Sequence, residues 1–147
     1  MKHIECFFPN LISCDYAITS PATPVYNCIA WAAGDTEKWW EPDSQNLYYW
    51  PPRAPRQYTL EAYICVYELL GFTLCDDTIY EEGIEKIVLY ACSNRRPTHA
   101  AKQLIFGGWT SKLGQLEDIK HSTLDGLTGR YYGSIAVIMK RPKKIEP

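Results

Sequence analysis

Tyr26–Ala33, with the sequence YNCIAWAA, predicts a helix that begins at Cys28. Asn27 stands just before the first turn, where its side chain can accept a free backbone N–H. A thiol at a helix start faces unpaired N–H groups and the positive end of the helix dipole, and both stabilise a thiolate. We therefore predict that Cys28 is a nucleophile with a lowered pKa.

Three histidines are available as a base for this thiol, namely His3, His99 and His121. His99 follows the loop-like segment Asn94–Pro97 and opens an apolar run to Phe106 that predicts a strand. A base at the start of a strand can face a helix N-terminus across a cleft. His121 lies in a polar segment between two predicted strands, and His3 lies near a terminus. His99 is therefore the first choice, followed by His121 and His3.

Length and composition indicate one globular domain over residues 1–147. The chain is 46% hydrophobic and 22% charged, which argues against a disordered tail or a coiled coil. A net charge of −2 without a broad basic excess argues against a nucleic-acid partner. No apolar run has the length of a membrane span, and the first residues lack a signal-peptide core. We expect a cytoplasmic protein, with export by a dedicated secretion system left open.

The six cysteines are spaced without a Cys-x-x-Cys pair or a nearby cysteine and histidine set. In a chain without a secretory signal, reduced thiols are favoured over disulfides. The spacing therefore predicts neither a metal site nor a cofactor.

The periodicity of the remaining chain predicts a second helix and a small antiparallel sheet, hence an α+β fold. The second helix is capped by Thr59 and ends at Gly71. A turn at Gly107–Gly108 joins two of the strands into a hairpin. The strands are predicted over Lys86–Cys92, His99–Phe106, Trp109–Gly114 and Tyr131–Lys140.

The order of the predicted elements resembles that of the papain-like fold. A helix with a cysteine at its start comes first, a second helix follows, and an antiparallel sheet carries a histidine on an early strand. In detail the chain resembles the NlpC/P60 group. Asn27–Trp31 matches the nucleophile helix, and His99–Ala101 with Gly107–Gly108 and Trp109 matches the histidine hairpin. Asn27 replaces the usual Asp before the cysteine, and Ile29–Ala30 replaces the frequent Ser-Gly after it. These departures indicate a distant branch.

The resemblance implies a cysteine-dependent hydrolase that cleaves amide bonds as a peptidase or amidase, as the group often does in cell-wall peptides. Cys28 attacks the carbonyl carbon, His99 transfers the proton, and an acyl-enzyme forms. The hairpin register puts Ser111 where the group has its third polar residue, with Asp118 and His121 as alternatives. Deamidases and transferases use the same site, and a toxin effector is a further implied role.

Stabilising the developing oxyanion requires two hydrogen-bond donors. The backbone N–H of Cys28 is expected to supply one of them, because it points from the helix end toward the developing negative charge. Tyr26 or Asn27 is expected to supply the second.

Aromatic residues are concentrated in the proline-rich segment Trp39–Trp50, where the rings are expected mainly to cover the core. Substrate contact is the second interpretation of this segment, and the candidate residues for it are Trp31, Trp39, Trp40, Trp50 and Trp109. The alternative function is a non-catalytic binding or interaction module that recognises a protein partner through Trp39–Trp50.

Overall fold

An antiparallel sheet of seven strands organises residues 2–143, which are the residues that this computed structural model describes. The strand order is β1-β6-β5-β4-β3-β7-β2. The strands are β1 Tyr16–Ser20, β2 Thr73–Leu74, β3 Ile84–Ala91, β4 Pro97–Gln103, β5 Trp109–Lys112, β6 Asp118–His121 and β7 Ser134–Pro142. The α-helices are α1 Lys2–Phe7, α2 Cys28–Ala33 and α3 Leu60–Leu69, with 3-10 helices at Pro9–Ser13 and Leu124–Leu127. The α+β prediction is confirmed.

Both predicted helices begin at their predicted caps. Asn27 Oδ1 accepts the N–H of Ala30 at 3.2 Å, and α2 therefore starts at Cys28. The Thr59 hydroxyl accepts the N–H of Ala62 at 3.1 Å in the same way, and α3 follows it. These side chains pair backbone donors that the first helical turn leaves free.

The sheet is larger than the sequence pattern indicated. The segment with His121 is a strand, β6, which pairs with β1 on one side and β5 on the other. The prediction of a polar segment there is wrong. Asp118 and His121 are polar but buried with hydrogen-bond partners, so the strand does not show the usual alternation of polar and apolar residues. His99 is the third residue of β4 rather than the first.

The two faces of the sheet carry two separate apolar cores, because side chains alternate along each strand. Ile87, Leu89 and Ala100 point into the first core, together with α2, α3 and the Trp39–Trp50 segment. Val88 and Tyr90 point into the second core, which is closed by α1 and the two 3-10 helices. Residues next to each other on β4 therefore serve different faces.

The junction between β4 and β5 is short. The two strands pair only at Lys102 with Thr110 and at Gln103 with Trp109. Helix α2 packs against both strands beside this junction. Because α2 packs at this place, Cys28 at its start lies beside the part of β4 that has no β5 partner.

The hairpin that joins β4 to β5 has an unusual backbone. Phe106 has φ +69°, followed by Gly107 at +96° and Gly108 at +78°. Glycine tolerates this region of φ, whereas a bulky side chain rarely occupies it. The Phe106 side chain is 90% exposed beside this turn.

None of the helices in residues 2–143 is both long enough and apolar enough to span a bilayer.

Candidate active site

Cys28 is a buried thiol surrounded by backbone donors. Only 8% of the residue is exposed, within the first core. The backbone N–H groups of Ala100 on β4, and of Ile29 and Cys28 at the start of α2, lie near Sγ and lower its pKa. These three N–H groups and the nearby Lys112 ammonium favour the thiolate.

Burial has a larger effect on this thiol than the donors. It raises the pKa of Cys28 to about 11 from the ordinary 9.0, against the opposite effects of the N–H groups and Lys112. The structure therefore reverses the expectation of a primed thiolate. The helix dipole favours the thiolate, but desolvation of Sγ by the surrounding core has the larger effect. Cys28 is a neutral thiol in the free protein.

This protonation state predicts slow alkylation of Cys28. With a pKa of about 11, roughly one thiol in a thousand is ionised at pH 8. Iodoacetamide followed by peptide mapping should label the exposed Cys6 first and label Cys28 only as the pH approaches 11. Rapid labelling of Cys28 at pH 6 to 7 would contradict a buried neutral thiol.

His99 is fully buried and has no hydrogen bond to either ring nitrogen within the described residues. Its ring stacks on Tyr132 with centroids 4.1 Å apart and planes 8° apart, and it meets the edge of Tyr90 at 5.3 Å. Burial, and secondarily the nearby His121, hold the pKa of His99 well below its ordinary value. The imidazole is therefore neutral at pH 7, with one nitrogen lone pair unused.

The structure brings Cys28 and His99 to the same strand without joining their side chains. The thiol takes the N–H of Ala100, which is the residue after His99. The imidazole turns to the opposite face of β4, because neighbouring side chains alternate and Tyr132 stacks on the ring there. No hydrogen bond links Sγ to either ring nitrogen.

Ser111 and His121, two candidates for the third catalytic residue, form a closed pair. The Ser111 hydroxyl lies 2.9 Å from His121 Nε2, and His121 Nδ1 lies 2.8 Å from the carbonyl of Thr123. The carbonyl can only accept, so Nδ1 carries the proton and Nε2 accepts from Ser111. Both residues share the face of His99, and His121 lowers the pKa of His99, but neither hydrogen-bonds to it.

Asp118, the other candidate, belongs to a buried polar cluster on the opposite face. It pairs with Lys112 across β5 and β6 and accepts the hydroxyl of Tyr26 at 2.6 Å and that of Thr19. The Lys112 ammonium donates to the carbonyls of Thr23 at 2.8 Å and Gly114 at 2.5 Å. Asp118 therefore orients Tyr26 rather than His99, because its register position turns it toward the first core.

The two residues proposed as the second oxyanion donor are engaged elsewhere. The Tyr26 hydroxyl donates to Asp118, and Asn27 Nδ2 donates to the carbonyl of Trp40 at 2.7 Å. The donor that sequence reasoning missed is the backbone N–H of Ala100, which lies at Cys28 Sγ. The sequence shows that Ala100 follows His99. It does not show that this part of β4 lacks a β5 partner, which leaves room for the thiol.

Comparison with known families places this site within a recognised domain. A family model described as a domain of unknown function, DUF7689, matches residues 17–140. The chain belongs to this family. The matched region begins in β1, ends in β7 and contains Cys28, His99 and the Lys112–Asp118 cluster. No curated protein and no solved structure matches the chain.

The aromatic segment of this DUF7689 domain is mainly structural. Trp40 and Trp50 lie in the first core, and Trp109 lies in the second, so none of these rings is free to bind a substrate. Asn27 fixes the segment, since its Oδ1 also accepts the N–H of Trp40 at 3.1 Å. Trp39 is partly buried, with its indole N–H donating to Glu41 at 3.0 Å.

Trp31 lies at an open cavity of about 680 Å³ beside the C-terminal end of α2. Its indole N–H donates to Thr110 Oγ1 at 3.0 Å, and its ring stacks on Tyr26. Cys28 and His99 do not line this cavity. In the DUF7689 domain, this open cavity and the candidate nucleophile therefore lie at different ends of one helix.

Residues 2–143 contain no group of three or more His, Cys, Asp and Glu side chains arranged to hold a metal ion. The six cysteines are free thiols.

Proposed function

We propose that this DUF7689 domain is a cysteine-dependent hydrolase of the peptidase or amidase type, with a papain-like fold of the NlpC/P60 group. Cys28 is the nucleophile and His99 is the base. One observation carries the proposal: a buried imidazole without hydrogen-bond partners lies one residue from the N–H that binds the Cys28 thiol.

The unpaired imidazole supports a role in chemistry because it is unfavourable for folding. A buried polar group without a partner costs about 1–3 kcal/mol. His99 carries two such nitrogens in the described structure, while the equally buried His121 has partners for both of its nitrogens. A neutral ring with an unused lone pair is also the form that a general base needs.

The reaction is an acyl transfer through Cys28. As Sγ attacks the carbonyl carbon, its proton moves to His99, and the carbonyl π electrons move to the oxygen. The N–H groups of Ala100, Ile29 and Cys28, which point at Sγ in the free protein, lie beside the developing oxyanion. His99 then returns the proton to the leaving nitrogen, and water hydrolyses the acyl-enzyme.

This mechanism requires Sγ and the imidazole to approach each other when a substrate binds. Hydrogen bonds between nucleophile and base are often long in free enzymes and tighten in the substrate complex. Because the imidazole and the thiol lie on opposite faces of β4, this approach requires a local movement of β4 or α2 as well as side-chain rotation. Because the thiol is neutral in the free protein, proton transfer accompanies attack instead of preceding it.

The resemblance supports amide substrates, including cell-wall peptides, and the same mechanism serves deamidation and acyl transfer to an amine. A cytoplasmic enzyme and a toxin effector delivered by a dedicated secretion system are both consistent with this chemistry.

Hydrolysis of p-nitrophenyl acetate, an activated ester, tests the nucleophile. We expect Cys28→Ala to reduce the rate to the uncatalysed background, because the acyl-enzyme no longer forms. The matched control is Cys65→Ala, which removes a partly buried free thiol of α3 and should leave the rate within about twofold of that of the unsubstituted protein. Equal rates in the Cys28→Ala variant and the unsubstituted protein would contradict the proposal.

The alternative function, a non-catalytic interaction module, now rests on the tip of the aromatic segment. Leu47, Tyr48 and Tyr49 are exposed there, while Trp40 and Trp50 are buried. Loss of partner binding in a Tyr48→Ala and Tyr49→Ala double variant, together with no esterase activity in the unsubstituted protein, would favour this alternative.

A further inference from the structure

We propose that Tyr63 is a further catalytic residue, whose hydroxyl donates a hydrogen bond to the carbonyl oxygen of the substrate while Cys28 attacks the carbonyl carbon. The inference rests on the proposed hydrolase function and leaves the role of His99 unchanged. It adds a side-chain donor on the face of β4 where Cys28 lies.

Helix α3 carries Tyr63 to the start of α2. The hydroxyl of Tyr67 on α3 donates to the carbonyl of Ile29, in the first turn of α2, at 2.9 Å. Tyr63 precedes Tyr67 by about one helical turn and therefore lies on the same face of α3. Tyr63, Tyr67 and Cys28 share the first core. The contact of Tyr67 with α2 therefore directs Tyr63 toward the same helix, which begins at Cys28.

The hydroxyl of Tyr63 is free to donate. The other buried tyrosines of the described residues each donate their hydroxyl to a protein acceptor, namely Tyr26, Tyr67 and Tyr90. Tyr63 is 6% exposed, and its hydroxyl makes no hydrogen bond within the described residues. This hydroxyl still reaches solvent, since the side-chain atoms there that are both enclosed and unpaired belong to His99 and Gln103. A substrate can therefore take up this donor.

The charges around Tyr63 show that its hydroxyl is near the thiol. Burial chiefly raises the pKa of Tyr63 above its ordinary value of 10.0, and among the ionisable neighbours Cys28 contributes most to this rise. The hydroxyl therefore keeps its proton at neutral and mildly alkaline pH. A neutral O–H beside the nucleophile is the form that an oxyanion donor needs.

Tyr63 also neighbours a partly exposed cluster outside the core. The Arg96 guanidinium lies over the ring of Tyr58 at 4.6 Å, and the Tyr58 hydroxyl donates to Glu41. All three groups influence the pKa of Tyr63 in addition to Cys28. Tyr63 therefore links the buried thiol to the surface, at a place where a substrate carbonyl that approaches Sγ meets its hydroxyl.

A donor at this position supplies what Tyr26 and Asn27 do not, because both of those side chains are engaged with other residues. As the carbonyl π electrons move to the oxygen, the Tyr63 O–H donates to that oxygen and retains its proton. The hydrogen bond strengthens as negative charge develops on the oxygen. It therefore stabilises the transition state more than the bound substrate.

Two reactions of Cys28 separate this role from a structural one. Acetylation by p-nitrophenyl acetate passes through an oxyanion, whereas alkylation by iodoacetamide does not. In Tyr63→Phe, which keeps the ring that packs on Trp50, acetylation of Cys28 should be about 100-fold slower than in the unsubstituted protein. Alkylation of Cys28 at pH 10 should keep its rate within about twofold, because the thiol and its surroundings are unchanged.

Tyr131→Phe is the matched control, since it removes the hydroxyl of an exposed tyrosine outside the first core. Both reactions should keep their rates within about twofold in this variant. Peptide mapping by mass spectrometry assigns each adduct to Cys28.

Equal acetylation rates in Tyr63→Phe and the unsubstituted protein would overturn the role of Tyr63 and leave Cys28 as the nucleophile. A parallel loss of acetylation and alkylation would also overturn it, because Tyr63 would then support the structure around the thiol and not the oxyanion. Absence of an acetyl group on Cys28 in the unsubstituted protein would instead overturn the hydrolase function, and this inference with it.

Discussion

Asp118→Ala is expected to lower the free energy of unfolding by about 2–4 kcal/mol. Asp118 is fully buried and accepts hydrogen bonds from the hydroxyls of Tyr26 and Thr19. It also faces the buried Lys112, whose ammonium it stabilises across β5 and β6. The substitution leaves two hydroxyls without an acceptor and removes a negative charge that favours the Lys112 ammonium, and losses of buried hydrogen-bond partners are among the more destabilising changes in proteins.

Urea denaturation of the native protein and of Asp118→Ala measures this loss. Asp76→Ala, which removes an exposed carboxylate, should change the stability by no more than about 0.5 kcal/mol. Adding Lys112→Met to Asp118→Ala should recover part of the loss, because the buried ammonium is then gone as well. A loss below about 1 kcal/mol in Asp118→Ala would mean that the cluster contributes little to the fold.

Acidification is expected to destabilise the protein steeply between about pH 6.5 and pH 5. Burial lowers the pKa of His99 well below 6.5, and it also lowers the pKa of His121. Below pH 6.5 the unfolded chain therefore binds protons at these histidines that the folded chain does not bind. The free energy of unfolding falls as the pH falls, by about 1.4 kcal/mol per pH unit for each histidine that stays neutral in the fold.

His99→Gln isolates the contribution of one histidine. Urea denaturation at several pH values from 5.0 to 6.5 should show a slope that is smaller by about 1.4 kcal/mol per pH unit than in the unsubstituted protein. Tyr132→Phe keeps both His99 and the ring that stacks on it, and should leave the slope unchanged. An unchanged slope in His99→Gln would mean that His99 titrates equally in the folded and unfolded states.

Local signals in the sequence were sufficient for α2, α3 and four of the seven strands, whereas α1, β1, β2 and β6 were not predicted. Asn27 and Thr59 determine helix starts through contacts within three residues, so the sequence alone was enough to predict them. Strand β6 was missed because its polar residues are buried in contacts with distant segments, such as Asp118 with Tyr26 and Thr19. Long-range pairing of this kind leaves no local periodicity.

The sequence predicts which elements carry Cys28 and His99 but not the surroundings of the two side chains. Cys28 lies beside Ala100 of β4, the residue after His99, but the two side chains do not contact each other. The pKa of Cys28 depends on how deeply α2 is buried, and the orientation of His99 depends on strand alternation and on Tyr132. Both are tertiary properties. The cavity beside the C-terminal end of α2 was also not predictable, because four separate segments of the chain line it, namely residues 31–36, 80–85, 102–110 and 143.

Acylation of the His99→Gln variant tests the central claim most directly. After exposure to p-nitrophenyl acetate, intact mass and peptide mapping locate the acetyl group and follow its lifetime. The account predicts an acetyl group on Cys28 that turns over in the unsubstituted protein. In His99→Gln the same adduct should form more slowly and persist, because no base activates the hydrolytic water. Acetyl groups spread over surface lysines and other cysteines, with none on Cys28 in either protein, would contradict a Cys28–His99 hydrolase.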